Sequence, residues 1–542
     1  MKNYKLLFVF SIFVVVAYFI FGIFFLNIPP VKADELWEIS RAHFLLKYHH
    51  QGDPLLPKEL SPYMTSLFNA TSGSKYQGIV KTASQAFFIA WVPIDDIYAF
   101  RLTAFAWSLL VCFLTYQVAI KTGLNKAMAL FAAILLIITP EFFSHLHSQR
   151  PEIMITAAYL AGLLFFIYII EMENSWKKTI LLFFSGIYTG LTTITLHPNA
   201  IVIPATFGCL YLLREYKNIF SLNTLFFGIS MLAGIFYLYY LQHAPAVISV
   251  AAGGGNLLQG SGPPILRRGI KVIISLPLIF YKKFTPSSVF ARPFSLLFFL
   301  ASCISFYYLF KKKKNSPVYK YIDILFIAIV VPLIVLPLLS SSNGFYNIFV
   351  LPLCAVLIAA AIYELSLTIS EKSKLVHILT AILCIIFLSD FSGIQKQNEN
   401  SKEFQRIRKE LKSVVTNRNS TIMGSGLYYL DFKDQHYYSA SGLNPRIGRP
   451  SQSFEEAVYA VRANYLIIDR AFIHNMYRER GKNWTDSMFF FINNKCDLVS
   501  AINDNKWAHI SKEPNYFPAQ LSDEIKKNTF LNKINVYRVI NS

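Results

Sequence analysis

The chain has 542 residues, of which 54% are hydrophobic and 15% are charged, and it contains 48 Phe and 31 Tyr. This composition excludes an ordinary soluble domain, which does not carry so apolar a surface. A formal net charge of +20 could indicate a nucleic-acid partner. The lysines, however, mostly lie in short links between apolar runs rather than in one basic patch, so we do not expect nucleic-acid binding.

Eleven apolar runs have about the length that a helix needs to cross the bilayer, which is roughly 20 residues. The first, residues 6–28, is too long for the hydrophobic part of a signal peptide and is predicted to be a retained transmembrane helix. The other runs are residues 100–120, 127–143, 152–171, 179–196, 198–213, 220–241, 293–310, 321–340, 346–366 and 375–391. The sequence therefore predicts an α-helical polytopic membrane protein.

The links between these runs predict the orientation, because Lys and Arg near helix ends stay cytoplasmic. With the N-terminus inside, all the basic links fall in the cytoplasm: Lys121 and Lys126, Lys177 and Lys178, Arg214 and Lys217, Lys311 to Lys314, and Lys372 and Lys374. Two loops, 29–99 and 242–292, are then extracytoplasmic. In a bacterial host the membrane would be the inner (plasma) membrane. We expect a transmembrane domain over 1–391 and a soluble extracytoplasmic domain over 392–542.

The two outer loops carry semi-apolar stretches that are too short to span. Ala86 to Pro93 in the first loop suits a helix lying in the membrane interface. The second loop has a glycine-rich hinge over residues 253–262, followed by Arg267 and Arg268. Both loops are predicted to cover a cavity at membrane level.

The C-terminal 150 residues have the polar spacing of a small α/β fold. Residues 401–416 are predicted to be helical, and Tyr465–Asp469 and Asn535–Ile540 are predicted to be strands. A second helix is predicted over Ser453–Ala463, because Ser453 and Glu456 have the spacing of a capping box.

The main candidates for chemistry are carboxylates at the outer ends of two spans. Asp34 and Glu35 follow the first span, where adjacent, partly desolvated carboxylates raise a pKa and can supply a general base. Glu152 opens the fourth span after Arg150 and Pro151. Each of these two acidic sites, considered by itself, has an alternative explanation: acidic residues are common at the start of a helix. Their coincidence on one predicted side of the membrane favours a functional site.

An ordered set of motifs over about residues 1–370 resembles the GT-C superfamily of glycosyltransferases. More narrowly, it resembles the lipid A aminoarabinose transferase and protein O-mannosyltransferase group. The second acidic position is often Asp in that group and is Glu152 here, and the C-terminal domain has no counterpart that we can name. The motifs are Ala33-Asp34-Glu35-Leu36-Trp37, Tyr76-Gln77-Gly78-Ile79-Val80-Lys81, Tyr98-Ala99-Phe100-Arg101-Leu102, Arg150-Pro151-Glu152 and the segment Tyr346 to Pro352.

The resemblance implies transfer of a monosaccharide from a polyprenyl-phosphate donor to an acceptor on the outer face, with inversion at the anomeric carbon. The acceptor would be lipid A or lipopolysaccharide, another envelope glycan, or a protein. Asp34 would be the base, and Glu35 and Glu152 would orient the acceptor or the base, or hold a divalent metal. The spacing itself demands no metal, since no His-x-x-x-His or Asp-x-Asp cluster accompanies the carboxylates.

Cationic or hydrogen-bonding groups must meet the charge that develops on the leaving phosphate. Each candidate has an alternative: the basic residues could extend to lipid headgroups, Tyr346 could belong to an interfacial aromatic belt, and His197, before Pro198, could be a helix-boundary residue. The candidates are Lys81, Arg150, Arg267, Arg268, Tyr346 and His197.

Two other functions compete with sugar transfer from a lipid-linked monosaccharide. A transporter or flippase of a lipid-linked substrate would place ionisable groups near the middle of its spans, whereas these spans are almost free of charge. An oligosaccharyltransferase would be expected to have a Trp-Trp-Asp signature, which only Asn483-Trp484-Thr485-Asp486 approaches. The outer carboxylates favour an enzyme at the membrane interface.

Overall fold

The structure of the protein is a computed structural model. The chain forms two compact units. The first consists of Met1–Leu26, Tyr76–Ser84 and Tyr98–Gln395, and the second consists of Asn27–Lys75, Gln85–Ile97 and Lys396–Ser542. The residues that the structure describes are 2–24, 26, 33–49, 79–92, 96–139, 142, 151–195, 198–214, 221–241, 291–311, 320–339, 348–368, 402–439, 443, 452–503 and 533–540.

Twelve α-helices are described in the first 370 positions. They are α1 (Lys2–Phe24), α2 (Ala33–Tyr48), α3 (Ile79–Trp91), α4 (Asp96–Lys121), α5 (Lys126–Ile137), α6 (Pro151–Ile170), α7 (Trp176–Thr195), α8 (Val202–Arg214), α9 (Leu222–Leu241), α10 (Ala291–Lys311), α11 (Ile322–Leu339) and α12 (Leu351–Thr368).

Ten of these helices, all but α2 and α3, coincide with predicted spans, and the eleventh predicted span, 375–391, lies outside the described residues. Within the described part, Asp96–Lys121 and Glu152–Ile170 are long and apolar enough to cross a membrane, and seven more helices are apolar over shorter stretches. Large apolar side chains such as Leu225, Ile229 and Ile304 are exposed. A lipid environment is the solvent that suits such a surface.

Some helix boundaries differ from the predicted ones for a local reason, namely proline. The span predicted over 127–143 ends as a helix at Ile137, because Pro140 cannot continue a helix and disfavours helical geometry at the residue before it. The span predicted over 198–213 begins with a 3₁₀ turn, Pro198–Ile201, and only then continues as α8.

About two thirds of the window Glu152–Ile170 in helix α6 is buried (67%). Tyr159 on this helix donates a hydrogen bond to the carbonyl of Ala328 on α11, at 2.5 Å. Helices α7 and α9 approach closely at Gly186, where an added Cβ would lie 1.9 Å from Ser230 Oγ and 2.8 Å from the carbonyl oxygen of Phe227. Such small-residue contacts are typical of helix packing in membranes.

The C-terminal part of the second unit is a five-stranded sheet with helices, as the predicted α/β fold requires. The strand order is β2-β1-β3-β5-β4, with β1 parallel to β2 and β3, and β5 antiparallel to β3 and β4. The elements are α13 (402–414), β1 (Thr421–Gly424), β2 (His436–Ser439), α14 (Phe454–Ala460), β3 (Tyr465–Ile468), α15 (Arg470–Arg480), α16 (Lys482–Lys495), β4 (Cys496–Asn503) and β5 (Lys533–Val539).

The predicted capping box is present at the start of α14. The Glu456 amide donates to Ser453 Oγ at 3.1 Å, and the Ser453 amide donates to Glu456 Oε2 at 3.0 Å. Helix α14 ends at Ala460, earlier than predicted, because Arg462 adopts a positive φ of 53° that a helix cannot include. Asp469, predicted as the last residue of a strand, instead accepts a hydrogen bond from the Phe472 amide as the N-cap of α15.

Candidate active site

The Asp34–Glu35 pair lies in the first turn of α2, a helix separate from α1. Glu35 shares a buried stripe with Ile39 and Ala42, since residues spaced by three or four positions lie on one face of a helix. Glu35 is only 1% exposed, which excludes the solvated acidic residue that a helix start alone would explain. Asp34 belongs to the helix, and its side chain lies outside the described part.

Glu152 is the second residue of α6, directly after Pro151. It is 2% exposed although it lies at a helix end. An ionised carboxylate in an apolar setting is costly unless it has hydrogen-bonding or charged partners, and Glu152 is not without a partner. Helix α6 therefore begins with a stabilised, buried acid.

Helix α3 has its polar side buried and its apolar side exposed. Lys81 is 4% exposed, and Thr82 and Gln85 on the same face are buried as well. On the opposite face, Phe87 and Trp91 are exposed and stack with ring centroids 5.6 Å apart. Burial of Lys81 disagrees with the alternative in which its ammonium extends to lipid headgroups.

The helix predicted over Ala86 to Pro93 begins earlier, at Ile79, and has the amphipathic character expected of an interfacial helix.

Arg101, which belongs to the motif Tyr98-Ala99-Phe100-Arg101-Leu102, has a structural role in the first unit. Its side chain is fully buried, and its Nη1 donates to the carbonyl of Leu26 at 2.8 Å. Arg101 thereby holds the chain just after α1. A guanidinium satisfies a carbonyl at a helix end well, because its donors are always charged.

A charged cluster in the second unit was missed by sequence reasoning. Asp96 Oδ2 lies 2.5 Å from Lys433 Nζ and 3.5 Å from His43 Nε2, and His43 Nδ1 lies 3.3 Å from the Tyr429 hydroxyl. These contacts join α2 to the 3₁₀ segment Gly426–Phe432 of the C-terminal region. His43 and Tyr429 are 386 positions apart and Asp96 and Lys433 are 337 apart, so no local spacing signals the cluster.

Several predicted site residues lie outside the described residues, and their roles stay predictions. The described ones fall in both compact units: Glu35 belongs to the second, and Lys81 and Glu152 belong to the first. Within the described ranges, no group of three or more His, Cys, Asp or Glu side chains could hold a metal ion. The predicted residues that are not described are Arg150, His197, Arg267, Arg268 and Tyr346.

The fold is similar to that of a solved structure over nearly the full length of both chains. The structure of ArnT from Cupriavidus metallidurans bound to undecaprenyl phosphate superposes with a TM-score of 0.58 at 9% identity, covering 98% of both chains. The apo state of that protein gives 0.56 at 10% identity, covering 98% of this chain and 97% of the other. The fold is thus similar to that of ArnT, and the predicted fold class, a helical membrane protein with a small C-terminal α/β region, is confirmed.

The other comparisons, one with a protein-family model and one with a further solved structure, cover smaller parts of the chain. The family described as dolichyl-phosphate-mannose-protein mannosyltransferase matches residues 59–248. An oligosaccharyltransferase from Archaeoglobus fulgidus has a lower TM-score of 0.48 at 11% identity, over 85% of this chain and 68% of the other. No curated protein sequence matches the chain. The resemblance to the GT-C superfamily is confirmed by the fold and the family match together.

Proposed function

We propose that the chain is a membrane glycosyltransferase that moves a monosaccharide from a polyprenyl-phosphate donor to an acceptor on the outer face of the membrane. The observation that carries the proposal is the burial of Glu35, Lys81 and Glu152 in a chain with the GT-C fold. Buried ionisable groups are costly for stability and cluster at functional sites. The solved ArnT structure contains undecaprenyl phosphate, which supports a carrier lipid of this chemical class.

In the proposed reaction the Asp34 carboxylate takes the proton of an acceptor hydroxyl. The acceptor oxygen attacks the anomeric carbon as the bond between that carbon and the carrier phosphate breaks. The sugar is transferred with inversion, and polyprenyl phosphate leaves. The ammonium of Lys81 stabilises the charge on the departing phosphate, which is the task of a preorganised cationic donor.

Glu35 and Glu152 have two chemically distinct roles under this proposal: they orient the acceptor and the base, or they hold a divalent metal. Removal of divalent metal ions with EDTA distinguishes the metal-binding role from the orienting role. Loss of transfer in EDTA that Mg²⁺ or Mn²⁺ restores assigns the metal role, and transfer that continues in EDTA assigns the orienting role.

The proposal also places the protein as a multi-pass protein of the plasma membrane, the inner membrane in a bacterium, with its C-terminal domain extracytoplasmic. A lipid-linked donor suits this location, because it is anchored at membrane depth where α3 exposes its apolar side. Lipid A or lipopolysaccharide, another envelope glycan and a protein are the acceptor classes to be compared.

Two experiments test the function. Mass spectrometry of envelope lipids, glycans and proteins from a deletion strain is expected to find one acceptor that lacks one monosaccharide mass. The full chain in sealed vesicles is expected to form a new glycosidic bond from a labelled donor. Movement of the donor across the vesicle without any new bond would instead identify a flippase and overturn the proposal.

A further inference from the structure

Gln85 is the most unusual buried side chain on α3. It has no exposed surface, and neither Oε1 nor Nε2 has a hydrogen-bond partner. Among the described residues it is the only side chain with two buried polar atoms left unpaired. Buried polar groups in native proteins are nearly always paired, so each exception calls for an explanation.

A role in packing alone does not explain Gln85. Leucine or methionine would fill a similar volume without burying an amide that lacks a partner, and such a replacement is neutral or stabilising. Gln435 differs from Gln85 in part: its Oε1 is also buried without a partner, but its Nε2 donates to the carbonyl of Asn417 at 2.7 Å, so only one end of that amide is unpaired. The unpaired carboxamide of Gln85 therefore indicates a position that a bound molecule completes.

The chemistry of the carboxamide restricts what that molecule presents. The amide oxygen needs a donor and the amide nitrogen needs an acceptor. A phosphate diester supplies acceptors only, and a prenyl chain supplies neither. Hydroxyl groups supply both, and neighbouring hydroxyls on one sugar ring could meet both ends of the amide.

The position of Gln85 along α3 agrees with this assignment. Gln85 lies four residues after Lys81 on the buried face of the helix, and side chains with that spacing are about 5–6 Å apart at their Cβ atoms. A phosphate at Lys81 would therefore have its attached sugar within reach of the next turn. The exposed Val80, Phe87 and Trp91 lie on the other side of the same helix and are suited to lipid.

We propose that Gln85 binds hydroxyl groups of the sugar on the polyprenyl-phosphate donor. The inference rests on the proposed function, and it adds a residue that distinguishes the glycosylated carrier from the bare carrier. Lys81 recognises the phosphate that both forms share, whereas Gln85 recognises only the sugar.

The test measures binding rather than transfer. The purified full chain is titrated with undecaprenyl phosphate and with a panel of undecaprenyl-phosphate monosaccharides, and affinity is followed by the ligand-induced rise in melting temperature. Gln85→Met is expected to weaken binding of the preferred glycosylated carrier roughly tenfold, as the loss of two neutral hydrogen bonds implies. Binding of the bare carrier should change less than about twofold.

Two further variants serve as controls. Gln85→Leu repeats the change with a different apolar shape, and both variants without ligand should melt no lower than wild type, since an unpaired amide has been removed. Gln435→Met removes an amide of the C-terminal region whose Nε2 has a partner and whose Oε1 has none, and it should leave both affinities unchanged because Gln435 has no proposed role at the donor.

The outcomes separate this inference from the function on which it rests. If the bare carrier does not stabilise the wild-type chain, the proposed function fails. If the bare carrier binds but no glycosylated form binds more tightly, or if the Gln85 variants keep the preference of wild type, the role of Gln85 is wrong. Equal loss of both ligands would place Gln85 at the phosphate and would also overturn the inference.

Discussion

At the scale of single residues, the main finding is that charged side chains at predicted outer helix ends are buried. Glu35, Lys81 and Glu152 could each be singled out from sequence, because acids and bases are rare near apolar runs. Their burial could not be predicted, because it depends on which helix face meets the rest of the fold. Gln85 escaped notice for the same reason: a glutamine in a semi-apolar stretch has no distinctive spacing.

The first prediction concerns Lys81. Lys81→Ala should lower the affinity for undecaprenyl phosphate about 10- to 100-fold, because it removes a charge-assisted hydrogen bond to the phosphate. Lys47→Ala is the matched control, since Lys47 on α2 lies over the ring of Tyr48 and has no proposed role at the phosphate. Ligand-induced melting shifts measure both variants, and equal affinities for wild type and Lys81→Ala would remove Lys81 from the phosphate site.

At the scale of elements, α2 carries the proposed base, and its other end contacts the C-terminal region through the cluster of His43, Asp96, Tyr429 and Lys433. The helices and strands of this region were predictable where local signals were strong, as the capping box of Ser453 and Glu456 shows. The cluster was not predictable, because Asp96 and Lys433 meet only through the tertiary fold.

The second prediction is a coupling between Asp96 and Lys433. In a double-mutant cycle of Asp96→Asn and Lys433→Met, we expect a coupling of about 0.5–1 kcal/mol in the free energy of unfolding, since the pair is partly shielded and includes His43. The pair Arg538–Asp497 is the control, because both side chains are more than half exposed and should show almost no coupling. Equal couplings in the two cycles would contradict a structural role for the cluster.

At the scale of the whole molecule, ten apolar helices and a small C-terminal sheet follow from the sequence, because long apolar runs and strand-like patterns are the clearest signals. The sequence does not show which helix ends contact one another in the folded chain. In the first unit, Glu171 accepts hydrogen bonds from Lys320 at 2.8 Å and from Tyr321, and it pairs with Lys121 at 2.6 Å. This network connects the ends of α4 and α6 to the start of α11.

The third prediction is a pH dependence that arises from this network. Burial acts to raise the pKa of Glu171, but the hydrogen bonds from Lys121, Lys320 and Tyr321 outweigh it and lower the pKa from 4.5 to about 2. Because the folded-state pKa is the lower one, the stabilisation is complete above about pH 4.5 and is lost as the pH falls toward 2.

Melting temperatures of wild type and Glu171→Gln measure this effect. The variant should melt lower than wild type at pH 7, and the difference should shrink as the pH falls below 4.5. Asp323→Asn is the control, since the Arg214–Asp323 pair is well exposed and contributes little. A difference between wild type and Glu171→Gln that is the same at pH 7 and pH 3 would show that the network does not act through the Glu171 charge.

The most direct measurement of the proposed function is sugar transfer by the full chain with Asp34→Asn, compared with Glu38→Gln. Both variants replace a carboxylate by an amide on α2, and Glu38 pairs with Arg41 at 3.6 Å and has no proposed role in the reaction. Loss of the base should lower turnover of a lipid-linked donor about 10²- to 10⁴-fold in Asp34→Asn, whereas Glu38→Gln should retain it. Full turnover by a folded Asp34→Asn variant would contradict the assignment of the base and the mechanism built on it.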